Sequence, residues 1–292
     1  YFAFVAGVLL KPQMLIFAPI LIWTIIEQVF LKDLNKEKVI KDLVGGLSAI
    51  AAMVIFTLPF GVDKVFSQYI NTLGSYPYCT INAYNFWALM GENWQPQTNM
   101  FFGLRASTWG TLAIFVSVAL SGYIFYKLRE DKSRYFLSMA VIIANMFMFS
   151  VRMHERYLFP IIVLLLAAFL VKPTKELFFT YVAFSVVHFL NVGHVLWAYI
   201  EQDGNTGPNG GLVGVTSLLS LLVFAYLFVA VFSKSTLEDL QERKGRVKRG
   251  VPNYTQKKQE QKEKKKWTDY VLHIHPTKKM PRFSKWDWIV LL

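Results

Sequence analysis

Apolar runs of bilayer length recur along this chain, and no other feature limits its fold so tightly. Residues 14–30, 43–60, 108–126, 135–150, 157–171, 177–199 and 212–232 are dominated by Leu, Ile, Val, Phe and Ala and carry few charges. A helix needs about 17–25 such residues to cross a membrane, and a soluble domain seldom strings so many together. The expected fold is therefore all-α: a polytopic membrane protein with about seven complete transmembrane helices. Partial helices are expected at 1–10 and 286–292, so the chain reads as a fragment of a longer polypeptide. The single cysteine, Cys79, excludes an intrachain disulfide and a cysteine-based zinc site.

The polar segments between the runs set the orientation. Loops 31–42, 127–134 and 172–176 and the segment after 232 are basic, and seven crossings put all four on one side, the cytoplasmic one. Within 233–285 there are sixteen Lys/Arg against six Asp/Glu, most of the formal net charge of +12. A juxtamembrane run such as Lys257–Lys266 suits anionic membrane lipid, and nucleic acid is not expected as a partner. The sequon Asn253-Tyr254-Thr255 falls on this cytoplasmic side and is expected to be silent. Residues 204–211 are Gly-rich without the strand-then-helix context of a phosphate loop.

Three polar stretches then fall together on the external face. Lys11-Pro12-Gln13 breaks an apolar run, because proline removes a backbone donor. Its lysine either snorkels to headgroups or binds a lipid-linked phosphate. In the loop 61–107, Asn82, Tyr84, Asn85 and Trp87 combine amides that fork onto hydroxyls with aromatic faces, a suitable lining for a sugar. Trp94 and Trp109 read as an interfacial belt. The third stretch is Arg152-Met153-His154-Glu155-Arg156-Tyr157-Leu158-Phe159-Pro160. Arg152 and Arg156, four apart, would share a face on a helix and present planar forks to phosphate oxygens. His154 and Glu155 are suited to orienting an acceptor or assisting proton transfer, and an Arg–Glu pair holding a turn is the simpler structural alternative. His188 and His194 lie about 120° apart around a helix, so packing or cavity lining is expected rather than joint metal ligation.

The Lys-Pro-Gln, Asn-Ala-Tyr-Asn-Phe-Trp and Arg-Met-His-Glu-Arg-Tyr-Leu-Phe-Pro blocks together resemble the bacterial glycosylphosphatidylinositol-mannosyltransferase-like proteins. These are GT-C type membrane glycosyltransferases related to the protein O-mannosyltransferases. The resemblance covers residues 1–232, with 233–285 as a basic cytoplasmic linker and 286–292 as the start of a further membrane segment. It implies a plasma-membrane enzyme whose donor is a polyprenyl-phosphate-linked sugar, usually mannose, used on the external face. It implies donor-phosphate contacts from Lys11, Arg152 and Arg156. Sugar or acceptor contacts would come from Gln13, Asn82, Tyr84, Asn85, Trp87, His154, Glu155 and Tyr157. The family's acidic base lies in a more N-terminal external loop. Neither Asp63 nor Glu92 occupies that place, so the base, and any divalent metal bound by such acids, is expected outside these residues. No cofactor is expected within them. The competing readings are a flippase or transporter of a lipid-linked or anionic substrate, and a lipid-linked polymer ligase. A transporter favours polar groups at the midplane and repeated halves, whereas the runs here are mostly clean and no repeat is evident.

Overall fold

The computed structural model describes residues 1–31, 36–201 and 210–233. The expected basic linker, its sequon and lysine run, the run at 286–292 and the Gly-rich segment 204–209 lie outside the described residues. The chain is predominantly helical. Helix α1 (Phe2–Leu10) ends at Lys11, whose extended backbone leads into a 3-10 segment, Pro12–Phe17, opened by the proline. Then follow α2 (Ala18–Ile26), a π-helical turn Glu27–Leu31, and α3 (Lys36–Thr57) with its 3-10 extension Leu58–Phe60.

The segment read as one long loop opens with a helix, α4 (Val62–Gly74). Val62, Val65, Phe66, Tyr69 and Ile70 follow the three-four spacing of an amphipathic helix. After it come β1 (Thr80–Ile81), the single turn α5 (Phe86–Leu89) and the hairpin β2 (Met100–Phe101) and β3 (Leu104–Arg105). The remaining helices are α6 (Ala106–Lys127), α7 (Arg134–Phe149), α8 (Phe159–Val171), α9 (Lys175–Glu201) and α10 (Gly211–Phe232). Strand β4 (Met153–His154) lies between α7 and α8. Among the described residues, five helical stretches are long and apolar enough to cross a membrane: Pro12–Val29, Lys36–Phe60, Ala106–Lys127, Lys175–Glu201 and Gly211–Phe232. Helix α7 is shorter at 16 residues, and α8 has 13.

Helix α7 is central, packed against α6, α8 and α10, with Leu137, Ala140, Val141, Ala144, Phe147 and Met148 buried. The face of α6 toward it carries the small buried residues Gly110, Ala113, Ser117 and Ser121. Small residues let helix backbones approach closely where no water is present to drive association. Asn145 exploits that approach, donating to Ala113 O at 3.1 Å and Ser117 Oγ at 2.7 Å across the interface.

One end of the bundle is tied by buried ion pairs. Arg134 donates to both carboxylate oxygens of Glu27, at 3.2 and 2.6 Å, with its guanidinium 4.2 Å from the centre of the Phe125 ring. Lys172 lies 3.0 Å from Asp131, and both side chains are buried. That second pair joins the loops at 127–134 and 172–176. At the opposite end meet the Lys11 break, α4, the hairpin, the α7–α8 connection and the C-terminal half of α9.

Candidate functional site

The α7–α8 connection is not helical through its charges. After Ser150 leaves α7, Arg152 takes a left-handed backbone conformation (φ 63°), and its N–H donates to Tyr78 O and Cys79 O at 3.1 and 3.2 Å. Met153–His154 then pair in parallel with Thr80–Ile81, and only Glu155–Leu158 coil, as a 3-10 turn. The expected helical pairing of Arg152 with Arg156 therefore fails. A backbone reversal and a strand intervene, and Arg152 Nε donates to Gln97 Oε1 at 3.0 Å. Gly110 makes the tight exit from α7 possible: a Cβ there would stand 2.8 Å from the Val151 nitrogen.

The other residues of the block converge with the Lys11 break on one ring. Gln13 Nε2 donates to Tyr157 Oη at 3.3 Å. Lys11 Nζ and the Arg156 guanidinium lie 5.9 and 5.7 Å from the Tyr157 ring centre, within cation–π range. His154 meets the same ring edge-on at 5.1 Å and also meets Tyr76 edge-on at 5.1 Å. Glu155 accepts from Arg156 at 3.1 Å; its side chain is 15% exposed and that of Arg156 58%. Lys11 and Gln13 are exposed. All three polar stretches thus reach the same end of the bundle, and two of them share Tyr157.

The loop residues divide differently from expectation. Asn82 remains half-buried near the cluster, its backbone left-handed (φ 59°), an αL conformation that Asn tolerates. Its carbonyl oxygen Oδ1 accepts from Trp94 Nε1 at 2.8 Å, so Trp94 braces the loop rather than standing free in a belt. Tyr84, Asn85 and Trp87 are each 0–1% exposed and offer no face to a sugar. Asn85 caps α5, accepting from the N–H groups of Trp87 and Ala88, and donates to Phe147 O. Trp87 Nε1 donates to Phe149 O at 3.0 Å, and Trp109 Nε1 to Phe101 O at 2.7 Å. Tyr84 Oη bonds His194 Nδ1 at 2.7 Å.

The sequence reading missed Asn191. Its side chain accepts from Tyr84 N–H at 3.0 Å and donates to Asn82 O at 2.8 Å, reading the loop backbone as a neighbouring strand would. The available signal was a polar residue at every third position, His188, Asn191 and His194, spread over about 120° of an apolar helix. Tyr76, in the same aromatic loop, joins the cluster as well: its left-handed backbone (φ 58°) accompanies the ring contact with His154. Left-handed non-glycine residues cost of order 1–3 kcal/mol each and gather where a fold over-determines them. Here they are Tyr76, Asn82, Trp94, Phe102 and Arg152, all at this end.

Burial, followed by the charge of Arg156, holds the His154 imidazole below its ordinary range against the opposing pull of Glu155, which favours the neutral ring near pH 7. Burial and then Glu155 push the Tyr84 phenol upward. Burial and Glu92 push the Cys79 thiol up to about 12. Among the described residues no three His, Cys, Asp or Glu side chains gather as a metal site. No family model, curated protein or solved structure matches this chain.

Proposed function

We propose that this chain carries the donor-handling part of a membrane glycosyltransferase. It moves a sugar, mannose by the resemblance, from a polyprenyl-phosphate donor to an acceptor on the external face of the plasma membrane. In this reading α7 and α8 cross the membrane with the five longer helical stretches, giving seven complete crossings in a GT-C type arrangement. The Lys11–Tyr157 end then faces outward, and the basic segment after Phe232 faces the cytoplasm.

The observation that supports the reading best is the pair of cations on the Tyr157 ring. Lys11 and Arg156 sit on the same aromatic side chain, with one carboxylate, Glu155, beside Arg156. Each lies within 6 Å of one ring centre, so an anion bound beside that ring would gain from both charges. A phosphate is the anion that arginine forks suit best. The reaction forms a bond from the acceptor oxygen to the anomeric carbon and breaks the bond from that carbon to the phosphate oxygen. The bonding pair leaves with the lipid phosphate, where Lys11 and Arg156 offset the developing charge. The acceptor proton passes to a carboxylate expected outside these residues, with His154 and Glu155 orienting the hydroxyl. Gln13 and Tyr157 hold the sugar or its phosphate, and Arg152, committed to Gln97, holds the loop.

The test is transfer of labelled mannose from polyprenyl-phosphate mannose in membranes containing these residues together with the segment expected to supply the acidic base. Arg156→Ala and Lys11→Ala are expected to lower turnover by about 10²-fold each, the cost of losing one charge-stabilising donor. Folded protein that neither transfers nor hydrolyses the donor would overturn the reading in favour of lipid-linked transport.

A further inference from the structure

A cavity of about 440 Å³ opens on the other side of the loop, between the β2–β3 hairpin, α5 and the first half of α6. Its walls include Phe86, Trp87, Phe101, Trp109 and Phe149, with Val116 on α6. That volume falls within the range of about 300–1,000 Å³ typical of ligand sites. It is roughly three times the size of an apolar cavity of about 150 Å³ that stays dry and admits benzene.

The side-chain N–H donors of the lining are already committed. The indole N–H of Trp87 donates to Phe149 O and that of Trp109 to Phe101 O. Asn145, the amide in the wall, donates to Ala113 O and Ser117 Oγ. Water in such a space would find few partners, and a polar ligand would forfeit its own hydration. The space suits hydrocarbon.

The cavity also faces where hydrocarbon would come from. Val116 and Leu112, both in the wall, are among the exposed apolar residues of α6, a helix of membrane-crossing length and composition. They lie roughly 9–15 Å along the helix from its first residue, the depth of a lipid chain's upper carbons. The hairpin rim exposes Phe102 (84%) and Met100 (66%), an apolar tip suited to a membrane boundary. Arg105, exposed and paired in register with Met100, places a cation at that rim.

We propose that this cavity is a binding site for one acyl chain of an anionic phospholipid, entered from the bilayer beside α6, with the lipid phosphate at Arg105. Lys11 and Arg156, the cations assigned to the donor phosphate, line no part of it, so it is a second lipid site. The lipid fills the space between the hairpin and α6 and fixes the loop against the bundle. The inference rests on helices that enter a membrane and not on sugar transfer.

The test uses the protein in vesicles of phosphatidylcholine and phosphatidylglycerol containing a trace of phosphatidylglycerol with a photoreactive acyl chain. Cross-linked residues are mapped by mass spectrometry. The expected result is labelling of residues 100–116 above that of the exposed face of α10 around Leu222. That excess should be lost in Val116→Trp, which fills the cavity from its lipid side, and reduced in Arg105→Gln. Ala113→Leu fills it from the α7 side and serves as a second variant, each checked for native helicity and monodisperse elution. The excess should fall with unlabelled phosphatidylglycerol and survive unlabelled polyprenyl phosphate. Labelling no stronger than that of α10, or unchanged by both filling variants, would overturn the proposal. So would competition by polyprenyl phosphate alone, which would make this the donor's chain site.

Discussion

Replacing Asn191 by leucine tests whether α9 holds the loop that carries the site. The side chain is 2% exposed, and its two bonds, at 3.0 and 2.8 Å, bridge Tyr84 N–H and Asn82 O. Leucine fills similar space on an apolar helix but leaves both backbone groups without their partner. The Tyr84 N–H is fully buried, and an unpaired buried donor costs about 1–3 kcal/mol. Asn82 is half-buried and can recover part of its loss from water, so about 0.5–1.5 kcal/mol is expected there. The combined expectation is about 1.5–4.5 kcal/mol, or roughly 3–18 °C in the unfolding midpoint. The assay is thermal unfolding in lipid nanodiscs. Asn191→Asp sharpens the test. As a carboxylate it still accepts from Tyr84 N–H but cannot donate to Asn82 O, whereas the protonated acid can do both. The protonated form keeps both bonds, so at acid pH its midpoint is expected above that of Asn191→Leu. An Asn191→Leu midpoint within about 1 kcal/mol of the parent would show that the loop stands without α9.

Further expectations concern charge and burial. Either Glu27→Leu or Arg134→Met alone should cost about 3–5 kcal/mol by stranding a buried charge, while the double replacement should be neutral or stabilising, as a double-mutant cycle on unfolding would show. The lowered pKa of His154 means that the unfolded chain binds the proton more readily, so this residue's contribution is full above about pH 6.5 and is lost as pH falls below it. His154→Gln should flatten that slope, and Arg156→Gln should raise the imidazole pKa toward its usual value, as read from ring proton shifts. The Cys79 thiol, fully buried and pushed up to about 12, should resist alkylation at pH 8 until the protein unfolds; rapid labelling of the native state would contradict its placement. Gly110→Ala sets a methyl 2.8 Å from a backbone nitrogen and should destabilise by about 1–3 kcal/mol in the same unfolding assay.

The helical runs and the meeting of the polar stretches were legible because both follow from one constraint. A chain that crosses a membrane must place its polar segments at the ends of its crossings, so parity alone brings the Lys11 break and the 152–157 block to one end. Side-chain direction is not set by that constraint. The pairing of Arg152 with Arg156 assumed a helix between them, and a left-handed residue followed by a bridge to Thr80–Ile81 turns them apart. No local pattern marks a parallel bridge between residues separated by over seventy positions. The same limit applies to Asn85 and Trp87. An amide and an indole beside each other suit a sugar equally well as they suit a helix cap and a bond to Phe149 O, and only burial separates the two. Helix α4, by contrast, was readable from its spacing; the aromatic and amide content that follows it masked the signal.

The two ends of the bundle treat charge in opposite ways, and this bears on where the chemistry lies. At one end Glu27 holds Arg134 and Asp131 holds Lys172, each acid–base pair dry and neutral as a unit. Such pairs offset the cost of removing ions from water and leave no charge to recruit a ligand. At the other end Lys11 makes no ion pair among the described residues and rests on a tyrosine ring, while Arg156 shares Glu155 and stays more than half exposed. A cation over a ring is stabilised by about 0.5–1 kcal/mol where water reaches it, too little to outweigh the gain from a phosphate oxygen. The ring therefore stations the cations without satisfying them. If that is its role, Tyr157→Phe should keep both cations in place and lose only the Gln13 bond. Tyr157→Leu should weaken donor binding far more, with Lys11 and Arg156 still present. Equal losses in the two variants would place the effect in the hydroxyl and refute a stationing role for the ring.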